Sequence, residues 1–274
     1  MNPLRFVGVD FSGAKQAGHS IWLTEGDATR TPLGHRVLNI ARCRPARALP
    51  GGGSLRDQAL RALRDHITDA YGGPPVVYGM DFPFTLPRTM LGDRTWEQFV
   101  LSFKDRFSSP EQFRTWCRQA DKGRERKRHT EEEARVPFAA YNLRLYRQTY
   151  YGIRDVIRPL VFDKKVWVLP IQQPNLDRPW LMETCPASAL KRLDLYSSYK
   201  GDSTIHCEQR SRILSTLLDR GDLYLADASL ENVFLEDPGG DALDSLIAAM
   251  IAFWNAPHPI PEDMNDPREG YVYR

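Results

Sequence analysis

An aspartate ends the first apolar run of this chain. Leu4, Phe6, Val7 and Val9 read as a short buried strand, and the run then meets Asp10 and a Ser12-Gly13 turn. Strands are poor places for aspartate, and a buried carboxylate costs several kcal/mol unless something positive answers it. Asp10 therefore either bonds to the backbone of its own turn or faces a cation or a phosphate. The choice depends on whether other acids converge on it.

The next segments build a sheet. Gly18 to Thr24 reads as a second strand and Val37 to Ala41 as a third, with 26–34 as the turn between them, so the opening is an antiparallel meander. Ser54 is expected to cap a helix in which Leu55, Ala59, Leu60, Leu63, Ile67 and Ala70 form a stripe of period 3.6. Val76 to Met80 follows as a buried strand and leads into Asp81-Phe-Pro-Phe84. A helix followed by a buried strand is a right-handed parallel crossover, which puts Asp81 at the carboxyl end of its strand, where open α/β sheets place ligands. Pro83 keeps the residue before it extended and the exit from the strand stiff.

Strand signals vanish over about 86–165. Trp96, Phe99, Val100 and Phe103 suggest a helix, as do Phe113, Trp116 and Cys117, and the region reads as a helical insertion in a single domain spanning 1–274. It holds a basic run, Lys122 to Arg128, and a stretch in which Tyr141, Tyr146, Tyr150 and Tyr151 alternate with Arg144, Arg147 and Arg154. Such a run is either a solvated loop or a nucleic-acid grip, because guanidinium groups hold phosphates and tyrosine faces stack on bases.

Strands resume with 166–171 and 180–184, the latter ending in Glu183 before a helix that Pro186 opens. A helix over about 206–218 follows. The last helix starts near Gly239-Gly-Asp241 and runs to about Trp254, with Asp241 and Asp244 three apart on one face. Ser245, Ala248 and Ala252 continue that face, so the helix can lie close against a sheet with both acids at the strand ends. Capping, with Pro238 as first helical residue, would explain Asp237 but not Asp244 one turn deeper.

Net charge is only +2, which excludes a global basic field, so an anionic partner has to be met by a local patch. Cys43, Cys117, Cys185 and Cys207 are far apart and form no Cys-x-x-Cys pair; they read as reduced core thiols of a cytoplasmic protein. No window approaches the twenty apolar residues of a membrane helix.

Asp10, Asp81, Glu183, Asp241 and Asp244 form the candidate catalytic set. If they share a cleft, some stay protonated or divalent cations neutralise them, since two carboxylates ~4 Å apart repel by roughly 4 kcal/mol at an effective dielectric near 20. All-oxygen ligands select Mg2+ or Mn2+ over zinc. The element order resembles the ribonuclease-H-like fold, a mixed five-stranded sheet flanked by helices. More narrowly, Gly8-Val-Asp10, Asp81-Phe-Pro, Glu183-Thr-Cys-Pro-Ala187, Asp241-Ala-Leu-Asp244 and Glu269-Gly-Tyr-Val resemble the bacterial domain-of-unknown-function family four-two-nine, described as predicted nucleases of that fold.

The resemblance implies two-metal hydrolysis of a phosphodiester, with Asp10, Asp81, Asp241 and Asp244 as metal ligands and DNA or RNA as partner. It departs from the simplest ribonuclease H pattern, because residues 54–71 contain no glutamate. Either Glu183 takes a ligand role or the site is purely resolvase-like. Ser12, Arg126, Lys127, Arg128, Arg144 and Arg147 are the expected substrate contacts. Two rivals are an ATP-dependent phosphotransferase of the actin and sugar-kinase type, and a non-catalytic cation- or nucleic-acid-binding module. The former duplicates its core and runs longer, and no second Gly-x-Asp strand followed by a Ser/Gly turn is found.

Overall fold

The computed structural model describes residues 4–262, 264 and 266–274. Strands β1 (Arg5–Asp10), β2 (Trp22–Arg30) and β3 (Arg36–Pro45) form the expected antiparallel meander. A crossover helix, Arg56–Asp69, returns the chain to β4 (Val76–Asp81), parallel to β1. Beyond the helical segment, β5 (Trp167–Leu169) pairs parallel with β6 (Trp180–Glu183), which lies parallel to β4. Strand β7 (Leu223–Leu225) extends the far edge beside β3. One mixed sheet results, in the order β5-β6-β4-β1-β2-β3-β7.

The expected count of five strands is corrected to seven. β7 is three residues long, pairs only with Leu38–Ile40 and leaves Tyr224 half exposed, so it carries no alternation for a reader of sequence to find. The second strand also starts later than expected. Ala17–Ser20 is a single helical turn, because Gly18 packs so tightly on Gly53 that a Cβ there would lie 2.0 Å from the Gly53 carbonyl oxygen. Gly26 lies inside β2 beside a bulge, not in a turn.

Two caps differ as well. The Ser54 hydroxyl bonds the His19 ring at 2.9 Å, and the Leu55 N–H donates instead to the Gln58 side chain. Asp237 does accept from the Ala242 N–H at 2.9 Å, but Pro238 lies outside the closing helix (Asp241–Asn255), whose cap is Gly240 in the left-handed region at φ 71°.

Alternation along β1 sends Phe6 to one face of the sheet and Val7 and Val9 to the other. Val7, Val9, Leu60, Leu63 and Ile67 join the crossover helix and the aromatic side chains of 96–113 in one core. Phe6 and Val77 meet Leu243, Ile247 and Met250 of the closing helix in the other. That helix presses on the sheet through glycine. A Cβ on Gly8 would lie 1.9 Å from the Ser245 carbonyl oxygen, and one on Gly79 would lie 2.3 Å from that of Ala248. The Ser245 hydroxyl also meets that of Thr24 at 2.6 Å. The small-residue stripe thus works as expected.

Between β4 and β5 the helices Trp96–Arg106 and Pro110–Ala120 pack Phe99, Phe103, Phe107 and Phe113 around Tyr150. Tyr141, Tyr146, Tyr150 and Tyr151 are buried, so the tyrosines read as base-stacking faces are core side chains. Of the cysteines, all free, Cys117 is buried but Cys207 is exposed, which corrects its reading as a core thiol. Among the described residues, no helix is long and apolar enough to cross a membrane.

Candidate active site

Asp10 and Asp81 end adjacent parallel strands and are direct partners in register. Because the closing helix touches β1 at Gly8, its first turn overhangs the same strand ends and delivers Asp241 and Asp244 there. Asp241 stands close enough to Asp10 to share a hydrogen bond. Asp244 is buried, accepting from the Tyr199 hydroxyl at 2.6 Å and from the Lys200 ammonium at 2.6 Å. Lys200 Nζ also lies 3.9 Å from Asp241 Oδ1.

Four acids face one ammonium, and their proton affinities follow. Burial, then the charges of Asp244 and Asp241, push Asp10 well above the ordinary carboxylate range. Burial and Asp244 lift Asp81 to about 8. Burial lifts Asp241 to about 6, with Lys200 pulling the other way. Burial also disfavours the charged form of Lys200, yet Asp244 and Asp10 outweigh it and the ammonium is held more firmly than usual.

Glu183 does not join this group. Its carboxylate accepts the Phe84 N–H at 2.9 Å and is gripped by both terminal nitrogens of Arg128, one at 2.8 Å. Arg128 is fully buried and bonds Glu131 at 2.9 Å as well. Its expected role as a phosphate contact is therefore corrected: the guanidinium is consumed by two internal carboxylates. This ion cluster ties the end of β6 to the loop after β4. The C-terminal segment joins it, with Arg128 donating to the Glu269 carbonyl and the Tyr273 N–H to that of Glu183.

The acids lie in a cleft of about 740 Å³, lined among others by Asp10, Asp81, Glu183, Lys200 and Asp241. Its opposite wall comes from residues 136–148, which dock on the loop after β1. Gln148 donates to the Phe11 carbonyl, and a Cβ on Gly13 would lie 2.6 Å from the Arg147 backbone.

Of the expected substrate contacts, Ser12, Arg144 and Arg147 line the cleft. Arg126 and Lys127 do not: Arg126 pairs with Asp121 at 2.8 Å, and Lys127 bonds the Val136 carbonyl at 2.7 Å. Thr184, buried on the cleft lining, has a hydroxyl without a hydrogen-bond partner among the described residues.

Lys200, Tyr199 and Arg210 were not legible as site residues. The acid pair implied a cation but not its source, and Lys200 sits in a polar stretch, 196–202, with no periodicity. The donor set suits a hard cation in chemistry and in its surplus of negative charge. Among the described residues, no three His, Cys, Asp or Glu side chains already close on one point.

No curated protein matches this chain. Among solved structures, it is similar to the yeast mitochondrial Holliday junction resolvase Ydc2 over 89% of this chain and 76% of that one, with 9% identity and a TM-score of 0.37. That likeness is too loose to argue from. The model of the family described as "Protein of unknown function (DUF429)" matches residues 8–258, and the chain belongs to that family.

Proposed function

We propose that the protein is a divalent-metal-dependent nuclease of the ribonuclease-H-like kind, a single domain whose 86–165 region is an inserted wall of the cleft. The observation that carries the reading is the charge imbalance: four carboxylates meet at the carboxyl edge of the sheet with one ammonium among them. Without more positive charge, such a group holds protons that carboxylates ordinarily lose. Asp10, Asp81 and Asp241 would hold a divalent ion, with Asp244 behind them, and an all-oxygen set of this kind selects Mg2+ or Mn2+. When bound, the ion supplies an activated water and neutralises charge on a phosphate.

The chain's own residues position the substrate. Arg144 and Arg147 at the cleft wall would contact phosphates flanking the scissile one. Phe138, partly buried under the Arg144 guanidinium at 5.2 Å, offers a ring beside them. Glu183 is a positioning residue, holding β6 and Arg128 in place.

The test is hydrolysis of labelled single- and double-stranded DNA and RNA, and of an activated phosphodiester, by chelator-stripped protein with and without Mg2+ or Mn2+. Cleavage should require the ion, and Asp10→Asn and Asp81→Asn should each lower it by at least ~100-fold while remaining folded. Hydrolysis unchanged by chelator, or by either substitution, would remove the reading.

A further inference from the structure

The geometry points to Lys200 as a built-in cation that takes the place of one metal ion, so that this site binds a single divalent ion rather than two. The inference rests on the cation-dependent reading above and refines its stoichiometry. Lys200 Nζ lies 2.6 Å from Asp244 Oδ2 and 3.9 Å from Asp241 Oδ1, bridging the two acids of the closing helix. Its side chain is half exposed and lines the cleft, so it is part of the working surface.

The backbone on both sides of Lys200 is fixed. Arg210, buried, donates from Nη1 to the carbonyls of Tyr199 at 2.7 Å and Gly201 at 2.9 Å, and from Nε to that of Leu235 at 2.7 Å. The Gly201 N–H donates to the Pro238 carbonyl at 2.8 Å. The Tyr199 ring packs on Gly240, where a Cβ would lie 2.9 Å from it, and its hydroxyl takes the other oxygen of Asp244. A buried arginine, a glycine with positive φ and a tyrosine thus hold one lysine against the helix acids.

The consequence is electrostatic. With both oxygens of Asp244 already taken by a hydroxyl and an ammonium, a divalent ion bridging Asp241 and Asp244 would stand against the lysine charge. Asp10, Asp81 and the outer side of Asp241 remain for one ion. Lys200 then supplies the second positive charge that the phosphate meets.

Counting bound Mn2+ by the paramagnetic resonance of the free ion tests this. Chelator-stripped native protein should saturate at one ion per chain, Lys200→Arg likewise, and Lys200→Met at two. Metal-free Lys200→Met should melt below the native protein and recover when Mn2+ is added. Two ions on the native protein would overturn the inference and leave the metal-dependent reading standing. No bound ion on the native protein would sink both. One ion on Lys200→Met, with native affinity and native metal-free melting, would make Lys200 an ordinary surface lysine. If Lys200→Met does not fold, Lys200→Gln, which also lacks the charge, takes its place with the same two-ion expectation.

Discussion

Glu131 and Glu183 on the one hand, and Asp10, Asp81, Asp241 and Asp244 on the other, are acids taken largely out of water, but the first set has one guanidinium for two carboxylates and the second one ammonium for four. Arg128 lies between the two glutamates, its guanidinium bonded to both, and burial of its charge is outweighed by theirs, although burial still lifts Glu131 above the ordinary carboxylate range. The aspartates share one ammonium, and Asp10 and Asp81 keep an abnormal hold on protons. A matched cluster is architecture, because nothing need arrive to complete it. An unmatched one, open to a cleft, waits for charge from outside. On the proposed function, the contrast separates acids that hold the fold from acids that take a ligand, where residue type cannot.

The largest effect should come from breaking the matched set. Arg128→Met leaves two buried carboxylates without their cation, and the expected loss is about 3–5 kcal/mol in a urea titration. Combining it with Glu131→Gln and Glu183→Gln should restore much of that, because the uncompensated charges go too. A loss under about 1 kcal/mol from Arg128→Met alone would erase the distinction between the clusters.

The unmatched set should respond in the opposite sense. Asp81 is raised from 3.8 to about 8, so between those values the native protein holds a proton that the unfolded chain has released. Metal-free stability should therefore fall as pH rises from about 4 to about 8. Asp81→Asn should remove its share of that slope, leaving the shares of Asp10 and Asp241, and stabilise the metal-free protein at pH 8 by ~2 kcal/mol. A variant less stable than the native protein at pH 8 would make Asp81 structural.

A smaller effect comes from a paired acid away from the cleft. Burial pushes Glu25 up, but His66 and Arg44, at 3.6 and 2.9 Å, outweigh it and hold the carboxylate at about 2. Its contribution is present above the unfolded value of 4.5 and is lost as pH falls toward 2. Glu25→Gln should cost ~1 kcal/mol at pH 7 and flatten the acid limb of the stability curve. An unchanged acid limb would show that pairing alone does not set the sign of the slope.

What could be read beforehand follows the same division. Asp10, Asp81, Asp241 and Asp244 were legible because each sits where apolar periodicity leaves no structural use for a charge. The docking of the closing helix was legible from Ser245, Ala248 and Ala252. Glu183 and Arg128 were misread because their partnership spans 55 residues of chain, and nothing local marks an arginine that will be buried. The tyrosines of 141–151 looked like a stacking surface because a dense aromatic core and an aromatic surface have the same composition. β7 left no pattern at all.

The smallest expected effect separates the arginines once read together as a substrate grip. Arg144 and Arg147 line the cleft, whereas Arg126 and Lys127 are held by Asp121 and the Val136 carbonyl. Arg147 is itself paired with Glu111 at 3.0 Å, but both side chains are more than half exposed, so the pair is weak and can open to a phosphate. Among the described residues, the Arg144 guanidinium has only the Phe138 ring beneath it, and it is the better contact. Each phosphate neutralised on a single strand lowers the slope of log affinity against log salt by about 0.7. On an Asp81→Asn background, which spares the strand, Arg144→Ala should flatten the slope by about that amount. Replacing Arg126 and Lys127 with alanine should leave it unchanged. Fluorescence anisotropy of a labelled single strand from low to moderate salt measures both. Equal slopes for all three proteins would place the strand elsewhere than along this wall.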